Sequence, residues 1–191
     1  MKDVGLLFKG PMVRAILDGR KTETRRLKFP ANASDRIWVK ETFRWAVDRK
    51  SCSCLEFRAD GSARYVLADC GGEGDFTGLA EEATPYSGGF PCPWKPSIFM
   101  PRWASRLTLE ILNVERETLQ AITPRAILAE GVVLRSHQDQ NLGKCPVSAF
   151  DEKMYPDLRS LWAAGWDSVN GKKAPWKSNP IVNVITFRRI S

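Results

Sequence analysis

The densest run of reactive side chains in the chain is Gly19-Arg-Lys-Thr-Glu-Thr-Arg-Arg26. If the backbone is extended from Glu23 onward, Thr24 and Arg26 share one side while Glu23 and Arg25 share the other. Lys21, at the preceding turn, then leans over Thr24. A lysine beside a hydroxyl has two uses: as an ammonium it stabilises an oxyanion, and as a desolvated amine it takes the hydroxyl proton. The nearby arginines favour the neutral amine by like-charge repulsion. Spacing alone, however, favours a solvated basic turn, since Lys-x-x-Thr is a weak motif. Glu130 is the second candidate. It stands at the C-terminal end of an expected short helix, where a carboxylate opposes the helix dipole by ~0.3–1 kcal/mol. Such a residue is either kept for something other than helix stability or is an exposed glutamate that tolerates the position.

Three further groups carry weaker signals. Trp38, Lys40 and Arg44 fall on one side of an alternating segment, where an aromatic between cations would stack a base and hold a phosphate. The alternative is a core tryptophan with its lysine and arginine in water. Cys52, Cys54, Cys70 and Cys92 supply the four thiolates of a zinc site, but the first pair is one residue apart and the others stand alone, unlike the usual knuckles. Reduced, partly buried thiols are the expected state, with no metal and no cofactor. His137 is the single histidine, which removes any mechanism or metal site needing two imidazoles, and it reads as a surface residue.

These residues need elements to hold them. Residues 11–19 read as a short helix, with Pro11 in its first turn, Met12, Ala15 and Ile16 on one face, and Gly19 past its end. Residues 20–27 form a loop entering a strand. Residues 36–46 alternate, with Ile37, Val39, Glu41 and Phe43 opposite Trp38, Lys40, Thr42 and Arg44, which predicts one half-buried strand. Residues 55–57 and 63–67 pair as a hairpin across Ala59-Asp-Gly-Ser62. From about 68 to 97 the glycines and prolines multiply, so this stretch is read as a long insertion loop that Phe76, Tyr86, Phe90 and Trp94 would anchor. Residues 97–100 and 105–115 return to strand pattern. Thr123, Pro124 and Gly131 carry the start and stop signals of a helix between them. A further helix covers 156–166 with Leu158, Leu161 and Trp162 inward, and 181–187 is the last strand. Strands outnumber helices, which predicts an α+β domain built on a small barrel.

Length and charge bound the reading. At 191 residues, 43% hydrophobic and 27% charged, the chain is sized for one domain, taken here as 1–191, and is not a disordered sequence. No apolar run approaches the ~20 residues that span a bilayer, and the N-terminal apolar stretch is too short for a signal-peptide core. A cytoplasmic protein is expected, and its five cysteines suit a reducing compartment. The net charge is +7, and all of the excess lies in residues 1–50, which hold 13 basic and 6 acidic side chains, against 16 of each in residues 51–191. A concentrated positive field attracts phosphates, so nucleic acid is a natural partner class. No feature points to a protein partner.

Taken together, four blocks resemble the ASCH domain, a family related to PUA-like RNA-binding folds. They are Met12-Val-x-Ala-Ile-Leu-x-Gly-Arg-Lys-Thr-x-Thr-Arg-Arg26, Ile37-Trp-Val-Lys-Glu-Thr-Phe43, Pro101-Arg-Trp-Ala-Ser-Arg-Leu-Thr-Leu109 and Ile122-Thr-x-x-x-Ala-x-x-Glu-Gly131. They occur in family order across residues 5–131, and the third block resembles ASCH proteins carried by bacteriophages and prophages. The resemblance implies a PUA-like small mixed β-barrel with short flanking helices, whose Gly-x-Lys-Thr loop lines a cleft for RNA or a modified nucleoside. Some small bacterial ASCH proteins are amidohydrolases that deacetylate N4-acetylcytidine, and their threonine, lysine and glutamate correspond to Thr24, Lys21 and Glu130. The expected contacts to substrate or RNA are Arg20, Arg25, Arg26 and Arg106, together with Trp38, Lys40, Glu41 and Trp94. Those amidohydrolases are about half this length and lack the Trp-Val-Lys-Glu block and the insertion, which leaves the substrate open. A non-catalytic RNA-binding module, or a ribonuclease using lysine in the same cleft, are the alternatives.

Overall fold

The computed structural model describes residues 1–47, 53–65, 92–132 and 158–191. The fold is α+β. Its elements are β1 (Asp3–Leu7), α1 (Gly10–Leu17), β2 (Glu23–Arg26), β3 (Arg36–Lys40), β4 (Phe43–Val47), β5 (Ser53–Phe57), β6 (Ala63–Tyr65), β7 (Thr108–Thr118), α2 (Pro124–Ala129), α3 (Leu158–Asn170) and β8 (Ile181–Arg189). The main sheet has five strands in the order β1-β3-β7-β8-β2, and a second sheet has the order β4-β5-β6. Among the described residues the five-stranded order is open, with β1 and β2 at its ends, and does not close into a barrel. No helix among the described residues is long and apolar enough to cross a membrane.

The chain divides into two compact units, each assembled from separate segments. The first holds 1–2, 15–35 and 110–189; the second holds 3–14, 36–109 and 190–191. In the first unit β2 runs antiparallel to β8, pairing Thr24 with Ile185 and Arg25 with Val184. Its core is Leu119, Ile122, Ile127, Leu158, Trp162, Trp166 and Val182. Trp162 stacks on Trp166 at 5.7 Å and meets Trp176 edge-on at the same distance, while Trp166 Nε1 donates to the Ala174 carbonyl at 2.8 Å. Aromatic pairs of this kind contribute about 0.5–1.5 kcal/mol beyond their buried area. This core seats α2 through Ile127.

In the second unit β1 and β3 are parallel, so the chain needs a crossover between them. The hairpin β5–β6 turns at Gly61, whose φ of +73° suits glycine. Its core is Phe43, Leu55, Phe57, Met100 and Ala104.

The period of two at 37–44 is realised residue by residue: 37, 39, 41 and 43 are buried and the residues between them are half-buried. It does not give one strand, however. The chain breaks at Glu41 and Thr42, leaves β3, and enters the second sheet as β4, and at the break the buried Glu41 side chain is held by Arg106. Residues 97–99 form a 3-10 turn rather than a strand, with Ile98 and Phe99 exposed; the Pro96 carbonyl accepts from the Phe99 amide at 3.0 Å and so closes the turn. In α3 the buried residues are Leu158, Trp162 and Trp166, a strict four-residue spacing that leaves Leu161 about half exposed, not inward. Residues 66–91 of the expected insertion, with Phe76, Tyr86 and Phe90, lie outside the described residues, as do Cys52, Cys70, Cys145, His137 and residues 156–157.

Candidate active site

The first unit brings Lys21, Arg25 and Glu130 together. After α1, Gly19 takes φ +72°, and the amides of Arg20 and Lys21 both donate to the Ala15 carbonyl at 2.9 Å, which turns the chain back under the helix. Lys21 then forms an isolated antiparallel bridge with Glu130, and the Thr22 amide donates to the Ala129 carbonyl at 2.9 Å. On the other side of that bridge, α2 begins with Thr123 Oγ1 accepting from the Ala126 amide at 3.2 Å and with Pro124 in the first turn. It ends with Glu130 as its C-cap. Gly131 follows at φ +87°, and a Cβ there would stand 2.7 Å from the Ala15 Cβ and 3.0 Å from the Lys21 Cβ. Only glycine fits this close approach, so the stop signal of α2 is also what lets Lys21 lie against the helix end.

Lys21 is fully buried at its side chain, and its Nζ donates to three acceptors: the Glu23 carbonyl at 2.9 Å, the Glu130 carbonyl at 2.9 Å and Glu130 Oε2 at 2.5 Å. An ammonium has three protons, so all three are engaged, none of them by Thr24. Arg25, nearly as buried, takes the other oxygen of the same carboxylate: its Nη1 donates to Glu130 Oε1 at 3.3 Å and its Nε to Glu117 Oε1 at 2.8 Å. Glu23 Oε2 is 3.5 Å from Arg25 Nη1, consistent with the shared strand face expected for residues 23 and 25. Thr24, on the alternate register, is buried.

The electrostatics follow from this burial. Removal from water pushes the Lys21 amine below its usual value of 10.5; the Glu130 carboxylate opposes that shift, and Arg26 and Arg25 add to it. Desolvation likewise lowers the Arg26 guanidinium and raises the Glu23 carboxyl, the latter against the pull of Arg25. Two cations face the Glu130 carboxylate at a helix C-terminus that by itself disfavours it by ~0.3–1 kcal/mol. Geometry and charge therefore leave a desolvated amine 2.5 Å from the Glu130 carboxylate.

The remaining expected contacts divide. Arg20 sits beside this cluster, its Nη2 on Asp18 Oδ2 at 2.8 Å and its Nη1 on the Gly131 carbonyl at 3.3 Å. Trp38, Lys40, Glu41, Trp94 and Arg106 belong to the second unit. There the Arg106 fork is fully used. Nε and Nη2 hold Glu41 at 2.8 and 3.0 Å, Nη1 and Nη2 hold Asp60 at 2.9 and 3.1 Å, and Nη1 also donates to Ser62 Oγ. It lies 4.2 Å from the Phe57 ring centroid as well. All five donors are satisfied within the protein, so Arg106 is built as a brace. The Trp38 ring lies over Gly5, where an added Cβ would meet it at 2.6 Å, and Lys40 Nζ is 5.2 Å from its centroid. Trp94 carries the Arg44 guanidinium at 4.3 Å and that of Arg58 at 5.8 Å. Cys54 and Cys92 are buried, and among the described residues no group of three or more His, Cys, Asp or Glu side chains is placed to hold a metal ion.

Glu117 is the residue that sequence reasoning missed. It lies 92 residues from Arg25 and carries no local motif. Comparison of the chain with protein-family models, with curated proteins and with solved structures found no match.

Proposed function

We propose that this is an ASCH-type protein of the PUA-like class that takes RNA or a modified nucleoside and hydrolyses an N4-acylated cytidine amide. The observation that carries this reading is the buried Lys21–Glu130 contact at 2.5 Å, next to the strand that bears Thr24. An ammonium–carboxylate pair and an amine–carboxylic acid pair differ only by movement of one proton between Nζ and Oε2, and burial favours the uncharged version.

In that neutral state each group has a task. The Thr24 oxygen attacks the acyl carbonyl as Lys21 takes its proton, and the carbonyl electron pair moves onto oxygen. The tetrahedral adduct collapses, the C–N4 bond breaks, and Glu130 gives its proton to the leaving amine. Lys21 is now an ammonium, Glu130 a carboxylate, and Thr24 carries the acyl ester. Water then attacks that ester, giving its proton to Glu130, while Lys21 returns a proton to the departing Thr24 oxygen. The acid is released and the neutral pair is restored, with no proton owed to solvent. Each proton transfer of this kind is worth roughly 10²–10⁴ in rate.

The second reading, a binding module without chemistry, is favoured by one observation: every Lys21 proton is already bonded and none goes to Thr24. The test that separates the two is chromatography of N4-acetylcytidine incubated with wild type and with Lys21→Ala, each checked for folding. The hydrolase reading expects conversion to cytidine by wild type and a loss of about 10³-fold or more in the variant. No conversion by wild type, or equal conversion by both, overturns it. If wild type then binds RNA with an affinity that falls linearly in log salt, the binding module stands instead.

A further inference from the structure

The Lys21–Glu130 pair is not isolated, and its surroundings are asymmetric in a way that the acid–base scheme does not use. The two Glu130 oxygens have different cationic partners: Oε2 faces Lys21 at 2.5 Å and Oε1 faces Arg25 at 3.3 Å. Arg25 in turn has a closer carboxylate, Glu117, at 2.8 Å from its Nε, and a more distant one, Glu23, at 3.5 Å. The guanidinium cannot give up its proton, so its charge is constant, and what varies is how that charge is shared between anions. Glu117 comes from β7, whereas Lys21 and Arg25 flank and enter β2 and Glu130 ends α2, so three separate elements meet through one arginine.

We infer that Glu117 is a positioning residue: by holding Arg25, it sets how much positive charge bears on Glu130 and Lys21, and so how readily a proton passes between them. The inference rests on the acid–base reading of Lys21 proposed above. With Glu117 in place, part of the Arg25 charge is neutralised and its longer contact to Glu130 stays weak. Without it, Arg25 is an uncompensated cation in a buried cluster, and cations near Lys21 disfavour its ammonium form. Among the described residues, the charged groups facing Lys21 are Glu130 from the end of α2 and Arg25 and Arg26 from β2, with the half-buried Glu23 of β2 and Glu117 of β7 reaching it through Arg25.

The test reads Lys21 directly and needs no substrate. In protein labelled at lysine side chains, the Lys21 resonance is titrated by NMR in wild type, Glu117→Gln, Glu117→Asp, Arg25→Gln and the Arg25→Gln/Glu117→Gln double variant. Expected is a Lys21 midpoint lowered by about one pH unit in Glu117→Gln. Most of that shift should be absent in Glu117→Asp, which keeps the charge and guards against loss of fold in the glutamine variant. In the Arg25→Gln background, Glu117→Gln should then add little. An unchanged midpoint in Glu117→Gln overturns the proposal, and so does a full shift that persists without Arg25, since Glu117 would then act without its arginine. Failure of N4-acetylcytidine hydrolysis would overturn the functional reading while leaving this titration result to stand or fall by itself.

Discussion

Both units bury a cluster of charges, and the two clusters are built on different cations. In the second unit a single arginine, Arg106, is gripped by Glu41, Asp60 and the Ser62 hydroxyl until none of its protons is left over. In the first, Glu130 lies between a lysine and an arginine, and the lysine is the more deeply buried partner. A guanidinium stays protonated at any pH a protein survives, whereas a desolvated amine does not. An arginine cluster therefore fixes geometry, and a lysine cluster can also move a proton. Burial of charge alone does not distinguish a brace from a reactive site; the identity of the buried cation does.

Breaking each cluster should show this difference most strongly in stability. Arg106→Ala leaves the carboxylate of Glu41, 1% exposed, without its counter-charge, and should cost about 3–5 kcal/mol in urea unfolding. Lys21→Met should cost clearly less, because Glu130 keeps Arg25 and an ammonium no longer has to be desolvated. Equal losses would contradict the contrast between the clusters. Next in size is Gly131→Ala, which forces a side chain into φ +87° and onto the Ala15 and Lys21 Cβ atoms. About 2–3 kcal/mol should be lost, measured as a drop in Tm, together with a displaced Lys21 titration.

The smallest effect sharpens the comparison through pH. Burial alone would raise the Asp60 carboxyl, but the Arg106 guanidinium and the Ser62 amide and hydroxyl bring it from 3.8 down to about 2. A depressed carboxylate stabilises the fold fully above its unfolded value of 3.8, and that contribution is lost as pH falls through about 2. Because Asp60 is open to solvent, about 1 kcal/mol is expected, seen as the acid-limb difference between wild type and Asp60→Asn. Lys21 acts at the other end of the scale. Its amine is lowered, so the unfolded chain binds the proton more tightly and stability rises with pH in the window below 10.5. Lys21→Met should flatten that rise.

Much of this was legible in the residues. The start and stop signals of α2 placed Glu130 at its end, because Thr123, Pro124 and Gly131 act locally through capping and φ. The alternation at 37–44 marked two opposite faces, since side-chain period is a property of the backbone itself, but not that 37, 39, 41 and 43 would be the buried one. What alternation could not reveal was the break at Glu41, whose side chain is held by Arg106, 65 residues away. Arg106 itself reads as an anion contact in sequence, because nothing local tells that two carboxylates already occupy it. Glu117 was invisible for the same reason: a charge partner 92 residues off leaves no periodic trace. Local rules thus positioned Lys21 and Glu130 near their places, while the distribution of charge around them is a tertiary property.

The central claim, that Lys21 acts by moving a proton and not merely by being positive, is tested most directly by Lys21→Arg. Arginine keeps the charge and the contact to Glu130 but cannot become a neutral base. N4-acetylcytidine turnover would be followed by chromatography for wild type, Lys21→Arg and Lys21→Met, each verified as folded by circular dichroism. The account predicts turnover in wild type alone, with both variants reduced about 10³-fold or more. Substantial turnover by folded Lys21→Arg would contradict it, leaving Lys21 as a fixed cation of the same kind as Arg106.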